Sequence, residues 1–239
     1  MTSQPTRAAR RPHRFAGMSK EDRKEARREA FVTAGIAVIG ESGIADTKVR
    51  DVCKQAELTE RYFYESFDNL DAFAKAVVET VAMQVAGRLF VKAVGIEDGQ
   101  ARLRAVAKEL VTIVDEDPRV GRILFVETER AGGALAKLRQ QMLYATTWLM
   151  TMWLDSPETN MAVAALPMMA QFLTGGSEAV EPVMGDINTI AIAGASAEMI
   201  MAWVDHRLDI TAEELVDCLV VYIDETIAWQ RRLGAEQPT

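Results

Sequence analysis

Apolar residues return at intervals of three and four along most of this chain, and no stretch sustains the strict polar–apolar alternation of a half-buried strand. That periodicity predicts an all-α protein, and glycine, proline and short capping residues divide it into helices. The first is expected to open near Ser19, with Asp22 three residues on in a capping-box arrangement. It should run through Ala30, Phe31, Ala34 and Val38 to Gly43. Thr47 is expected to cap a short helix with Val49, Val52, Cys53 and Ala56 inward. Thr59 should cap a second one containing Tyr62, Phe63 and Phe67, and Asp68 should open a long helix to about Lys92. Beyond the turn GIEDG (95–99) the pattern predicts helices at about 100–115, from Asp117-Pro118 to Gly132-Gly133, and over 134–154. The stretch TGGSEAVEPVMGD (174–186) reads as the least structured internal segment. Helices at 187–206 and 212–233 close the chain, the latter with Thr211 and Glu214 as a capping box.

Charge is distributed unevenly along this helical frame. The net charge of −8 argues against a polyanion partner for the chain as a whole. Yet residues 1–30 hold nine basic side chains against four acidic ones, residues 1–70 balance at +2, and residues 71–239 carry −10. An acidic body with a basic N-terminal end can offer one anion-seeking face while the rest repels phosphate. Cys53 and Cys218 are far apart and indicate neither a disulfide framework nor a thiolate metal site, which fits a reducing cytoplasm. The segment INTIAIAGASAEMIMAWV (187–204) has near-membrane length, but its small residues and internal Glu198 favour a buried interface helix over a membrane span. There is no HExxH, no phosphate-binding glycine loop and no nucleophile elbow, and His206 has no clustered partner. The reading is therefore of a binding protein, not an enzyme, with no cofactor and no metal.

Residues 59–67, TERYFYESF, gather four aromatics and an arginine in a chain that is only 7% aromatic. Two short helices joined by Glu57 and Leu58 and preceded by a longer helix have the layout of a helix-turn-helix unit. On the second of them, Phe63 and Phe67, four apart, can anchor the inner face. Thr59, Glu60, Arg61, Tyr62 and Tyr64 then supply hydroxyl, carboxylate and guanidinium groups to the exposed side. Roughly eight residues at about 1.5 Å each give a rod of about 12 Å, comparable to the major-groove width.

Residues 29–73, EAFVTAGIAVIGESGIADTKVRDVCKQAELTERYFYESFDNLDAF, resemble the DNA-binding region of the TetR family of bacterial transcriptional regulators. Gly43, Thr47, Val49, Val52, Ala56, Thr59, Phe63, Tyr64 and Phe67 stand where that pattern places them. The resemblance implies that Thr47 and Lys48 meet backbone phosphates and that Thr59, Arg61, Tyr62 and Tyr64 lie at the operator. Three positions depart from the pattern: Glu57 replaces a turn glycine, Ser66 a histidine or aromatic, and Leu70 a basic residue. A weaker resemblance extends to residues 199–217, similar to the closing helix pair that dimerises many such regulators.

The domain organisation this implies is a basic arm (1–18), a three-helix DNA-binding domain (19–68) and a larger helical effector-binding and dimerisation domain (69–239). Within the last, Met83, Phe90, Phe125, Trp148, Met152, Met169 and Phe172 form a surplus of adaptable and aromatic side chains. Such a lining suits a small, largely apolar effector. The helices at 187–206 and 212–233, with Ala191, Ala195 and Glu198 on the first, are expected to form a homodimer interface. The expected function is a cytoplasmic, ligand-responsive repressor that binds a palindromic double-stranded operator as a homodimer, without membrane association. The alternative is a helical small-molecule sensor whose DNA binding has been weakened, for which Glu57 and Leu70 are the sequence signs.

Overall fold

The computed structural model describes residues 18–130, 132–133, 135–142 and 187–235, and every regular element among these is helical. In order they are α1 (Lys20–Ser42), α2 (Val49–Ala56), α3 (Glu60–Ser66), α4 (Leu70–Ala93), α5 (Gly99–Glu116) and α6 (Pro118–Gly121). A π-helical segment (Arg122–Glu127) leads into α7 (Thr128–Arg130), and α8 (Ile187–Val204) and α9 (Ala212–Ala235) close the chain. Residues 135–142 are also helical.

The caps explain most of these boundaries. The Ser19 side chain accepts the Asp22 N–H at 3.0 Å to start α1. Asp98 does the same for Ala101 at the head of α5, and Asp117 for Arg119 ahead of Pro118. At α9 the box is complete: the Glu214 N–H donates to Thr211 Oγ1, and the Thr211 N–H donates back to Glu214 Oε2. Three expected caps differ. The long helix α4 is opened by Asn69, whose side chain accepts the Ala72 N–H at 2.8 Å, and not by Asp68. The N-cap of α2 is Lys48 instead of Thr47, with no side-chain capping bond. Thr59 does hold the N-cap position of α3, but its side chain makes no capping bond there either.

The main core runs without interruption from the N-terminal helices into the body. Phe31, Phe63, Phe67 and Phe73 pack at one end, and Val77, Val78, Val81, Ile113, Ile123 and Leu138 continue the same cluster along α4. Helix α4 thus belongs to both regions, and no gap in packing falls at residues 68–69. Gly35 permits this closeness, because a Cβ there would stand 2.4 Å from Phe73 Cζ and 2.6 Å from Val77 Cγ2. A second cluster joins α5 to α8 and α9 through Val111, Val114, Ile200, Leu215 and Leu219. Leu103, Ile192, Ile223 and Ile227 extend it toward the ends of those helices.

A polar network also fastens α4 to α5. Arg88 donates to Glu109 and to Glu116, each at 2.8 Å, and Lys92 reaches the other Glu109 oxygen at 3.2 Å. Burial alone would push the Glu109 carboxyl up, but the bonds and charges of Arg88 and Lys92 together outweigh it and hold it below its ordinary value. Among the described residues no helix is long and apolar enough to cross a membrane.

The helix expected from Asp117-Pro118 is present, but its middle winds as a π-helix. The change begins immediately after Gly121, where the backbone is jammed against neighbours. A Cβ at that position would meet Val114 Cγ1 at 2.9 Å and the Met201 sulfur at 3.2 Å.

Candidate nucleic-acid interface

The arrangement of α2 and α3 follows from one tight turn. Glu57 adopts the left-handed conformation (φ 55°, ψ 35°). Its N–H donates to the Lys54 carbonyl at 3.3 Å, while the Leu58 N–H reaches back to the Cys53 carbonyl at 3.0 Å. This is a Schellman closure, which satisfies the last carbonyls of α2 and turns the chain sharply enough for α3 to begin two residues later. Glycine adopts the left-handed region without penalty, and Glu57 does so at a cost of roughly 1 kcal/mol. Leu58 packs against the core beside it.

Helix α3 is then anchored by rings. Phe63 is 0% exposed and sits edge-on to Phe31, with centroids 5.5 Å apart. It also packs against Phe67 at 5.5 Å and Phe73 at 5.3 Å. Phe67 in turn stacks edge-on to Phe73 at 5.1 Å. Four rings from α1, α3, the residue after α3, and α4 thus lock one face of a seven-residue helix that could not persist alone. With that face fixed, the opposite side of α3 is set by the helical repeat.

Thr59, Glu60, Arg61 and Tyr64 are exposed, as the sequence reading expects. Tyr64 is 58% exposed and leans edge-on against Phe63, so its ring is oriented while its hydroxyl end is free to reach outward. Arg61 is tied along the helix to Glu65 at 3.0 Å. Tyr62 is different: it is half-buried and packs against the core, with the Arg27 guanidinium 4.5 Å above its ring. Arg27 also approaches Glu65 at 3.8 Å, so Glu65 stands between two arginines.

Lys48, at the start of α2, is exposed. Thr47 beside it requires a correction. Its side chain is buried, and its hydroxyl donates to the Gly43 carbonyl at 2.7 Å. Thr47 closes the α1–α2 loop and has no free donor to offer a phosphate. The residues departing from the pattern also find their places. The Ser66 hydroxyl donates to the Tyr62 carbonyl at 2.9 Å, and Leu70 lays its side chain against the core instead of presenting a charge.

Two solved regulators named FadR share this architecture. FadR from Bacillus halodurans, the fatty acid degradation regulator, superposes with a TM-score of 0.59 at 14% identity, covering 82% of this chain and 94% of that one. FadR from Bacillus subtilis, solved in complex with stearoyl-CoA, gives 0.58 at 16% identity, over 82% and 96%. A TetR family transcription regulator from Marinobacter aquaeolei VT8 gives 0.52 at 15% identity, over 84% and 97%. The chain has the TetR-type fold. No family model and no curated protein matches its sequence.

In that fold α1–α3 form the N-terminal helix-turn-helix head. Of the expected effector-site residues, Met83, Phe90 and Phe125 lie in the body. Met83 on α4 and Phe125 in the π-helical segment are half-buried and pack against the main core, with Phe125 also touching the second cluster. Phe90 is half-buried near the end of α4. Trp148, Met152, Met169 and Phe172 lie outside the described residues, as does the basic arm up to residue 17. The described residues contain no cluster of His, Cys, Asp and Glu that could hold a metal ion.

The site contains one residue that sequence reasoning missed. Glu127, 83 positions away from Ile44 in the chain, accepts the Ile44 N–H through Oε2 at 2.7 Å. No local motif marks it, because its partner is a backbone group brought near only by the fold.

Proposed function

We propose that the chain is a TetR-family transcriptional regulator that binds double-stranded DNA as a homodimer and acts as a ligand-responsive repressor. The observation that carries the reading is α3: its inner face is locked by four aromatic rings, and its outer face offers Thr59, Glu60, Arg61 and Tyr64 beside exposed Lys48. A short rigid helix following a tight turn is what major-groove docking uses.

Homodimerisation through α8 and α9 is supported by Ile190, Val221 and Trp229, large apolar side chains that stay exposed on these two helices. Gly194, one turn after Ile190, adds open space into which another helix can approach. A small, largely apolar effector is supported by Met83, Phe90 and Phe125, and by the stearoyl-CoA bound in one of the structures sharing this fold. Its binding would favour a head spacing that no longer fits the operator.

A gel shift of DNA from upstream of the protein's own coding region, with and without cell extract, tests the reading. Retardation by nanomolar to micromolar protein, relieved by a lipophilic fraction, supports it. Binding no tighter than to random DNA overturns it. A specific observation favours the alternative, a sensor with weakened DNA binding: Glu57, Glu60 and Glu65 all stand on the exposed side of the head, and Glu65 holds Arg61.

A further inference from the structure

We propose that Glu127 is a positioning residue for the DNA-binding head, holding the Ile44 N–H and so fixing the loop on which α2 and α3 are mounted. This rests on the DNA-binding reading above. The geometry begins at the end of α1. Gly43 leaves the helix at φ 82°, ψ 163°, and the Ile44 N–H points away from any helical acceptor. The Glu127 carboxylate, 6% exposed, fills that role at 2.7 Å, and it makes no ion pair with a described residue. A Cβ at Gly43 would stand 3.1 Å from both of its oxygens, so the loop and the carboxylate are in close contact.

Arg122 holds the residues just before the loop, its Nη1 donating to the carbonyls of Gly40 at 3.1 Å and Glu41 at 3.3 Å. Arg122 and Glu127 are the first and last residues of the π-helical segment. Five residues of ordinary α-helix turn through about 500°, which would place these two side chains about 140° apart. A π-helix bonds i to i+5 and brings residues five apart close to one face. The wider turn is therefore what lets both side chains grip residues 40–44.

The grip passes directly to the head. The Thr47 hydroxyl donates to Gly43 O, and the Thr47 N–H donates to Ile44 O at 3.2 Å, so residues 43–47 form one bonded unit that ends at Lys48, the N-cap of α2. Any displacement of Ile44 carries α2 with it, and α3 follows through the Glu57 turn. A buried carboxylate joined to one backbone N–H among the described residues adds little net stability compared with an apolar side chain of like size. What it adds is direction.

The test uses the full-length protein with Glu127→Leu, which fills the space without accepting, Glu127→Gln, which still accepts, and Arg122→Ala on the exposed side of the grip. Two DNA probes are used: a duplex enriched from a random pool by the wild-type protein, and an unselected random duplex. Glu127→Leu is expected to lose about tenfold on the enriched duplex and less than about threefold on the random one, a coupling of ordinary allosteric size. Glu127→Gln should recover to within about threefold of wild type. Amide exchange at Ile44, Thr47 and the first turn of α2 should quicken in Glu127→Leu and not in Glu127→Gln, with α5 unchanged. Should Glu127→Leu fail to fold, Arg122→Ala must show the same pattern at reduced size, about a threefold loss, for the proposal to stand. Wild-type affinity of Glu127→Leu for the enriched duplex, or unchanged exchange at Ile44, overturns the positioning role. If the wild-type protein enriches no duplex, the DNA-binding reading fails, and the exchange data alone decide whether Glu127 orders the loop.

Discussion

Replacing Phe63 by alanine tests the logic of the head most directly. Phe63 is fully buried and its ring meets those of Phe31, Phe67 and Phe73 at centroid distances between 5.3 and 5.5 Å. Withdrawing the ring forfeits about 2–3 kcal/mol of apolar transfer energy. The space left is lined by three other rings on three different segments, which cannot all collapse into it. A residual cavity of about 80 Å3 at about 24 cal/mol per Å3 adds roughly 2 kcal/mol. The total, about 4–5 kcal/mol, is a large part of the roughly 5–15 kcal/mol that holds a typical domain folded. Urea denaturation followed by far-UV circular dichroism reads it, with Tyr64→Phe as the control: this exposed neighbouring ring loses only its hydroxyl and keeps its edge-on contact with Phe63, so stability should change by less than about 0.5 kcal/mol. A loss below about 1.5 kcal/mol in Phe63→Ala would show that the ring cluster does not fix α3 and would remove the basis for assigning its outer face.

The other predictions address the turn, the DNA face and the dimer. Glu57→Gly should raise the urea midpoint by an amount equivalent to about 0.5–1 kcal/mol with the denaturant slope unchanged, because a left-handed residue loses its steric penalty; a lowered midpoint would contradict the turn geometry. On DNA, Tyr64→Phe should weaken specific and random duplexes alike, whereas Arg61→Ala should cost about 1–3 kcal/mol more on the specific one if the guanidinium exchanges Glu65 for a base edge; equal affinity of both variants with wild type would remove these residues from the interface. Val221→Arg should yield monomers in sedimentation; since Val221 is 62% exposed, core damage cannot explain such a result, and a dimeric variant would place the interface elsewhere.

Much of the fold was legible because its signals are local. Ser19, Asp117 and the Thr211–Glu214 pair cap the helices the sequence assigns to them, since each needs only a side chain and an amide within three residues. Phe63 and Phe67 face inward as their spacing of four requires. The errors come where a local signal has a competing partner. Thr47 has the identity of a cap, but its hydroxyl turns back to Gly43 O. Tyr62 has a polar tip, but its ring lies under Arg27 and against the core. The π-helical turn and the Glu127 bond to Ile44 were out of reach, because both depend on helices separated by tens of residues and on the contacts of Gly121 with α5 and α8.

Two of the attachments between the head and the body differ in physical character. Along α4 the link is apolar, with Phe73, Val77 and Val81 running from the ring cluster into the body core. Such burial is non-directional and keeps most of its energy through small sliding movements. At residues 40–44 the link is polar and made by Arg122 and Glu127, and hydrogen bonds weaken steeply with distance and angle. Under the proposed function an effector seated near Phe125, within the same π-helical segment, would therefore act unequally on the two. A displacement of about 1 Å in that segment would carry Glu127 out of bonding range of Ile44 while leaving the α4 contacts largely formed. The head would then turn about α4 as a folded unit, and ligand release of DNA would come with little loss of helicity.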